Sequence, residues 1–136
     1  MKDLRTRIPI QIRFNDIDLA GHVNNAIYIT YFELARVAYI NEFMGDVKID
    51  WKEEGLILAK IEMNYKMPVF LEDTIVIETW VSRMGTKSLD MSCSIIKIEK
   101  GVETEVATGM AVIVCFNYKT NQTIVIPERW RNKIRK

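Results

Sequence analysis

Apolar and polar residues alternate near the start of the chain, which predicts a β-strand. The apolar positions are Ile8, Ile10, Ile12 and Phe14, and polar residues or proline separate them. This period of two places one face of a strand on a core and the other in water. Pro9 cannot donate a hydrogen bond to a neighbouring strand, so the segment is predicted to lie at a sheet edge.

The spacing of apolar residues then changes to steps of three and four, which predicts one long α-helix over about residues 25–44. The residues on this apolar face are Ile27, Tyr28, Tyr31, Phe32, Ala35, Ala38, Tyr39 and Phe43. A side-chain oxygen of Asn24 or Asn25 can cap the first turn. Gly45 suits the position after the last turn.

The rest of the chain is predicted to be mainly β-strand. Four segments rich in Ile, Val, Thr and aromatic residues cover residues 57–66, 74–83, 87–99 and 105–118. A change of phase at Ile96 predicts a β-bulge. Ala107, Gly109 and Ala111 share one face of the last segment, where small side chains would let the helix approach closely. Pro127 suits the first position of a short terminal helix.

Together these elements predict an α+β fold in a single domain over residues 1–136, with one long helix against a curved antiparallel sheet of five to six strands. The chain has 136 residues and a net charge of only +1. We therefore expect neither nucleic-acid binding nor membrane insertion. Residues 127–136 carry five basic side chains and one acidic side chain. This segment is either a solvated helix or an electrostatic aid for an anionic ligand or a partner subunit.

The two cysteines and the single histidine do not have the spacing of a metal site. Cys93 and Cys115 lie in apolar or alternating stretches, where cysteine usually acts as a small buried hydrophobe. We therefore expect no metal and no cofactor. The start of the chain shows no apolar stretch behind its charges, and we expect a cytoplasmic location.

Candidate chemistry is concentrated in residues 16–25, where the predicted loop meets the predicted helix. Asp16, Asp18, His22, Asn24 and Asn25 all fall within these ten residues. A helix N-terminus offers unpaired backbone N–H groups and partial positive charge, which suit a developing oxyanion. A nearby carboxylate would supply the base for acyl transfer to water. From composition alone, the same residues also suit simple turn and cap roles.

The stretch from Arg13 to Asn25, together with Tyr28, Tyr31, Phe32, Glu33 and Arg36, closely resembles a known signature. It is that of the hotdog-fold thioesterases of the 4-hydroxybenzoyl-CoA thioesterase type. The signature has an aromatic residue, two acids separated by a spacer, Gly-His-Val-Asn-Asn, a Tyr, and an aromatic-Glu pair. The resemblance implies a hotdog fold and the hydrolysis of acyl-CoA or acyl-carrier-protein thioesters.

The resemblance also implies roles for individual residues. The second acid, Asp18, would be the catalytic carboxylate, acting as a general base or as a nucleophile. The backbone N–H of Asn25 would polarise the thioester carbonyl, with His22 in support. Asp16 would hold the loop by accepting backbone hydrogen bonds. As a base, Asp18 would need partial burial to raise its pKa.

Residues further along the chain complete the expected substrate site. Tyr28 and Glu33 would contribute to the acyl pocket. Arg83, Lys87 and Ser88 lie where the family contacts the nucleotide of coenzyme A, usually from a neighbouring subunit. A homodimer or homotetramer is therefore implied.

Two other functions are compatible with the same fold. One is an enoyl-CoA hydratase or dehydratase that uses an acid and a histidine, although the motif that surrounds the pair in those families is absent here. The other is a non-catalytic acyl-binding protein.

Overall fold

The computed structural model describes residues 4–134, which form six β-strands and two α-helices. The strands are β1 (Arg5–Ile10), β2 (Gly55–Tyr65), β3 (Thr74–Met84), β4 (Ser88–Glu99), β5 (Val102–Asn117) and β6 (Gln122–Thr123). The helices are α1 (Ile27–Met44) and α2 (Glu128–Ile134). Arg135 and Lys136 of the basic segment lie outside the described residues. Neither helix within residues 4–134 combines the length and the apolar composition needed to cross a bilayer.

The strands form one antiparallel sheet in the order β1-β3-β4-β5-β2, and β6 pairs with the end of β5. The expected α+β architecture is thus confirmed. β1 is an edge strand, as Pro9 predicts, and the predicted bulge lies between Ile95 and Ile96. The opposite edge is the eleven-residue strand β2.

The core lies between α1 and the inward face of the sheet. The buried α1 side chains are Tyr28, Tyr31, Phe32, Ala35, Tyr39 and Met44. Cys93 and Cys115 are buried free thiols in this core. Burial raises the pKa of Cys93 to about 12 and that of Cys115 to about 11, so both act as small apolar groups.

The sequence-based expectation was wrong for Ile12 and Phe14 in the first strand. The strand ends at Ile10, and Phe14 is 81% exposed in a short 3-10 turn. A carboxylate oxygen of Asp16 accepts a hydrogen bond from the Arg13 N–H at 3.0 Å, which holds the chain in a turn instead of a strand.

Both helix ends also differ in detail from the expectation. The residue at the N-cap of α1 is Ala26, and no side chain of its own caps the helix. Instead, the Asn24 side-chain oxygen accepts a hydrogen bond from the Ala26 N–H at 2.9 Å. Gly45 follows the last turn but keeps a right-handed φ of −63°.

Small residues on β5 were expected to let α1 approach closely, but Gly109 does not have this role. A Cβ at this glycine would lie 2.5 Å from the sulfur of Met63 and 2.9 Å from the sulfur of Cys93. The space is therefore filled by side chains from the two neighbouring strands, β2 and β4.

The sheet has two ends that matter for function. The first end contains Tyr65 at the end of β2, and Tyr65 is paired with Ala107. The second end contains the β3–β4 hairpin, where Ser88 is paired with Val114. Ala107 and Val114 are seven residues apart on β5, so the two ends of the sheet are separated by roughly 24 Å at about 3.4 Å per residue.

Candidate active site

The loop before α1 folds into a tight turn because its residues suit one. The Gly21 N–H donates to the Asp18 carbonyl at 2.9 Å, and the Asp18 N–H donates to the His22 carbonyl at 3.2 Å. Gly21 has a φ of +86°, a conformation that glycine adopts without strain. Val23 anchors the turn to the protein because its N–H donates to the Val69 carbonyl at 2.8 Å.

Both oxygens of the Asp18 carboxylate are held by hydrogen bonds. Oδ1 accepts from the Ala20 N–H at 2.9 Å, and Oδ2 accepts from the Asn24 side-chain amide at 2.8 Å. These two bonds, with Ala20 the larger contribution, lower the pKa of Asp18 below its ordinary value. The carboxylate is therefore ionised and fixed in orientation at neutral pH. Asp18 is half-buried, and this burial acts to raise its pKa, but the two hydrogen bonds outweigh it. The raised pKa expected for base catalysis is therefore not seen.

The backbone N–H of Asn25 lies at the entrance to α1 and is left unused by its neighbours. The N–H groups of Asn24, Ala26 and Ile27 all have acceptors at 2.8–2.9 Å. That of Asn25 has no acceptor among residues 4–134. It lies in the first turn leading into α1, where the helix dipole favours negative charge.

Tyr65 fixes the position of Asn25 from the sheet side. Its hydroxyl donates to the Asn25 carbonyl at 2.7 Å, and its ring makes an edge contact with Tyr28 at 5.0 Å between centroids. The end of β2 is thereby joined to the start of α1. The loop and the sheet thus hold the Asn25 backbone together.

These groups line one open cavity of about 480 Å³. Its lining residues are Asp18, His22, Val23, Asn25, Tyr28, Tyr65, Lys66, Met67 and Pro68. Asp18, His22, Asn25 and Tyr28 are thus brought together, as the sequence predicted. We name this cavity the Asp18 pocket.

His22 lies in the Asp18 pocket without a hydrogen bond to the Asp18 carboxylate. Its Nδ1 is 3.4 Å from the Val23 carbonyl oxygen, and its ring meets Phe70 edge-on at 6.2 Å. The orientation of Asp18 therefore comes from Ala20 and Asn24, and His22 faces the ligand space.

Asp16 holds the loop, as the sequence predicted. Its Oδ2 accepts hydrogen bonds from the Arg13 N–H at 3.0 Å and from the Tyr31 hydroxyl at 2.6 Å. Burial and this bond raise the pKa of Tyr31 well above its usual range. Asp16 is not among the residues that line the Asp18 pocket.

Within one chain, the other predicted substrate residues are not brought to Asp18. Arg83, Lys87 and Ser88 belong to the β3–β4 hairpin at the second end of the sheet. The Arg83 guanidinium is engaged with both oxygens of Asp90 at 2.9 Å and with Ser88 at 2.9 Å. Glu33 is exposed on α1 and lines a different cavity.

Two residues of the site were missed by sequence reasoning. Asn24 was taken as a helix cap, and its second hydrogen bond to Asp18 spans six residues of an irregular loop. Tyr65 is forty residues from Asn25, and no local pattern joins them. Within residues 4–134, no three His, Cys, Asp or Glu side chains cluster as ligands for a metal ion.

Comparisons with known proteins identify the family of the chain. A family model described as the thioesterase-like superfamily matches residues 12–134. The long-chain acyl-CoA thioesterase FadM of Escherichia coli is 26% identical over 125 residues, which are 92% of this chain and 93% of that protein. A thioesterase of Thermus thermophilus, solved in complex with coenzyme A and zinc, is 32% identical with a TM-score of 0.80. That match covers 96% of this chain and 97% of the other.

A third comparison concerns the fold alone. A mutant of 4-hydroxybenzoyl-CoA thioesterase, solved with 4-hydroxybenzoyl-CoA, is 16% identical, and the match covers 96% of this chain and 98% of the other with a TM-score of 0.83. The fold is therefore the hotdog fold, and the enzyme class is thioester hydrolase. The chain belongs to the thioesterase-like superfamily.

Proposed function

We propose that this enzyme hydrolyses acyl-CoA thioesters to a free acid and coenzyme A in the Asp18 pocket. One observation carries the proposal: Asp18, with its fixed and ionised carboxylate, and Asn25, with its unused backbone N–H, line the same cavity. The names of the relatives support it, since the Escherichia coli protein is a long-chain acyl-CoA thioesterase. An acyl-carrier-protein thioester is the alternative substrate, because it presents the same reacting group.

In the proposed reaction, the thioester carbonyl oxygen accepts a hydrogen bond from the Asn25 N–H. This donor stabilises the oxyanion that forms when the carbonyl carbon is attacked. Asp18 either removes a proton from the attacking water or attacks the carbon itself to form a mixed anhydride. The C–S bond then breaks, and the thiolate of coenzyme A leaves and takes up a proton. In the second route, water then hydrolyses the mixed anhydride, which releases the free acid and regenerates the Asp18 carboxylate. His22, which also lines the pocket, supports the bound thioester.

The electrostatics of Asp18 constrain both routes. Each route needs the ionised carboxylate, which the lowered pKa secures. The same lowering weakens Asp18 as a base. Most of the rate enhancement must then come from orientation and from the oxyanion contact.

We propose that the complete site forms in a homodimer paired through β2. This edge strand has eleven residues, and Ile57 and Leu58 are 38% and 45% exposed. A long apolar edge of this kind is a template for pairing with another strand. A homotetramer would be built from two such dimers.

Two-fold pairing would bring the distant hairpin to the Asp18 pocket. If β2 pairs antiparallel with its copy, the Gly55 end of one strand lies beside the Tyr65 end of the other. The second end of one sheet then adjoins the first end of its partner. Lys87 is exposed and would face the phosphates of coenzyme A across the interface. Arg83 would act mainly by supporting Ser88, since Asp90 neutralises it.

The proposal is tested with a panel of acyl-CoAs, following the released thiol with a colour reagent. We expect turnover that Lys87→Glu weakens through a higher KM. Leu58→Asp should convert the dimer to a monomer in light scattering and reduce kcat. A panel with no thiol release, or water addition to an enoyl-CoA in its place, would overturn the proposed activity. A cytoplasmic location remains part of the proposal, since the free cysteines suit a reducing compartment.

A further inference from the structure

The peptide that joins Asn25 to Ala26 is held from both sides by side chains. Its carbonyl oxygen, on Asn25, accepts a hydrogen bond from the Tyr65 hydroxyl at 2.7 Å. Its N–H, on Ala26, donates to the side-chain oxygen of Asn24 at 2.9 Å. The C=O and N–H of a trans peptide lie in one plane and point in opposite directions. These two bonds therefore fix the orientation of the peptide plane.

The backbone of α1 does not hold the Asn25 carbonyl. In a continued α-helix, the Ile29 N–H would donate to this carbonyl, four residues earlier in the chain. The Ile29 N–H donates instead to the Ala26 carbonyl at 3.3 Å. Within residues 4–134, the Asn25 carbonyl has no backbone donor. The Tyr65 hydroxyl thus takes the place of the missing helical bond.

Tyr65 lies at a firmly anchored end of β2. The next two residues, Lys66 and Met67, both donate their N–H groups to the Val106 carbonyl, at 2.9 and 3.2 Å. The Tyr65 ring meets the Tyr28 ring edge-on, with 5.0 Å between the centroids. A strand end and an aromatic contact therefore fix the hydroxyl that bonds to Asn25, and no flexible segment lies between them.

The Tyr65 hydroxyl has no proton to spare for the substrate. A phenol donates one hydrogen bond, and here that bond goes to the Asn25 carbonyl. Partial burial raises the pKa of Tyr65 above its ordinary value, so the hydroxyl keeps its proton at neutral pH. Direct donation to a thioester oxygen would require the bond to Asn25 to break.

The direction of the Asn25 N–H depends on the two peptides that flank this residue. The preceding peptide is held at its oxygen, because the Asn24 carbonyl accepts from the Ile27 N–H at 2.9 Å. The following peptide is the one held by Tyr65. Only two backbone dihedrals of Asn25 join these peptide planes. Fixing both planes therefore fixes the direction of the N–H between them.

We infer that Tyr65 is a positioning residue for thioester hydrolysis, whose hydroxyl bond to the Asn25 carbonyl keeps the Asn25 N–H directed at the thioester oxygen. This inference rests on the proposed function, in which that N–H stabilises the oxyanion. A donor that is oriented before the reaction needs no reorganisation in the transition state. Without the Tyr65 bond, the donor is retained but its direction is no longer fixed.

Tyr65→Phe tests the inference, because it removes the hydroxyl and keeps the ring that contacts Tyr28. Loss of a whole oxyanion donor costs about 10²–10³ in kcat, so a donor that is present but loosely held should cost about five- to fiftyfold. KM should stay within about twofold, because the contact matters in the transition state and not in the bound substrate. A higher KM with unchanged kcat would make Tyr65 a substrate-binding residue and overturn the inference.

The matched control is Tyr31→Phe, which also removes a hydroxyl that donates a hydrogen bond, in this case to Asp16 at 2.6 Å. Neither Tyr31 nor Asp16 lines the Asp18 pocket. Tyr31 is buried, whereas Tyr65 is 46% exposed, so Tyr31→Phe should cost more stability. Its kcat should nevertheless stay within about threefold of the unsubstituted enzyme, because the geometry of the reacting groups is kept. An equal fall of kcat in both variants would indicate general loosening and refute the inference.

Infrared spectroscopy examines the same contact without turnover. Asp18→Asn protein, which should not turn over its ligand, is mixed with dodecanoyl-CoA that carries a heavy carbon isotope at the thioester carbonyl. The difference from the unlabelled complex isolates the carbonyl stretch. A hydrogen bond from the Asn25 N–H should lower this frequency, and adding Tyr65→Phe should shift it back towards that of free dodecanoyl-CoA. A frequency that Tyr65→Phe leaves unchanged would overturn the inference.

The outcomes separate this inference from the proposed function. Thiol release by the unsubstituted enzyme, with no loss of kcat in Tyr65→Phe, would overturn the role of Tyr65 and leave the activity standing. A carbonyl frequency that depends on Tyr65, without thiol release from any acyl-CoA, would do the reverse. It would sink the activity and keep Tyr65 as the residue that positions Asn25.

Discussion

Substitution of Asn24 by alanine tests how Asp18 is held. The Asn24 amide makes two hydrogen bonds, donating to Asp18 Oδ2 at 2.8 Å and accepting from the Ala26 N–H at 2.9 Å. Asn24→Ala removes both. The loss at Ala26 costs about 1 kcal/mol of stability, as for other helix N-terminal caps. For a domain of this size, that is roughly 4 °C in Tm.

The effect on catalysis should be larger than the effect on stability. Without the amide, the carboxylate keeps only the bond from the Ala20 N–H and can rotate away. Displacement of a catalytic group by about 1 Å can cost about a hundredfold, so we expect kcat to fall between roughly ten- and a hundredfold. The pKa of Asp18 should also rise towards its ordinary value, because one cause of its lowering is removed.

The matched control is Asn25→Ala, one residue along the same chain. It keeps the backbone N–H that we assign to the carbonyl oxygen, so kcat should remain within about threefold of the unsubstituted enzyme. Steady-state kinetics with dodecanoyl-CoA and thermal unfolding of both variants are the assays. Full activity in Asn24→Ala, or an equal loss in Asn25→Ala, would refute the assigned roles.

Three further predictions concern other parts of the structure. Tyr31→Phe should lower the free energy of unfolding by about 1–2 kcal/mol in urea, because it removes the 2.6 Å bond to Asp16; a large change in KM would contradict a purely structural Asp16. Arg36→Met should raise the free energy of unfolding by about 1 kcal/mol, because Arg36 has a buried N–H without an acceptor among residues 4–134 and burial lowers its pKa. Destabilisation by this substitution would instead indicate an acceptor from a second copy. The rate constant kcat/KM should show no acid limb above about pH 5, because Asp18 has a lowered pKa and stays ionised there; a limb near pH 6 would contradict this.

The fold could be predicted well from sequence because its elements have clear periods. The apolar spacing of α1 and the alternation in β3, β4 and β5 each place a continuous face on the core. The errors fall at the ends of elements, where a single hydrogen bond decides whether a strand or helix continues. Phe14 left the predicted strand because the Asp16 side chain turned the chain, and this bond has no signature in apolar spacing.

The site was predictable only where its residues are adjacent in sequence. Asp18, His22 and Asn25 share a short segment, and the structure brings them together in the Asp18 pocket. The contact from Tyr65 depends on how β2 packs beside α1, which local pattern does not encode. Burial of Asp18 was named as the requirement for base catalysis, yet two hydrogen-bond donors in the loop lower its pKa.

A second limit of prediction from sequence concerns the other expected substrate residues, which are Glu33, Arg83, Lys87 and Ser88. The resemblance assigned them to the same substrate site as Asp18. Within one chain, however, they lie away from the Asp18 pocket. An interface between two copies of the chain would decide whether the hairpin reaches the Asp18 pocket of the partner. Such an interface is difficult to recognise in a single sequence, because its composition differs little from that of the remaining surface. Their roles remain predictions.

We propose that the Asp18 carboxylate performs the chemistry. The most direct test is single-turnover hydrolysis of dodecanoyl-CoA by Asp18→Asn, with binding measured in the same sample by tryptophan fluorescence. Asparagine preserves the size of the side chain but removes its negative charge and basicity. We expect retained binding, with hydrolysis reduced at least a hundredfold. Hydrolysis at the unsubstituted rate in this folded, ligand-binding variant would contradict it.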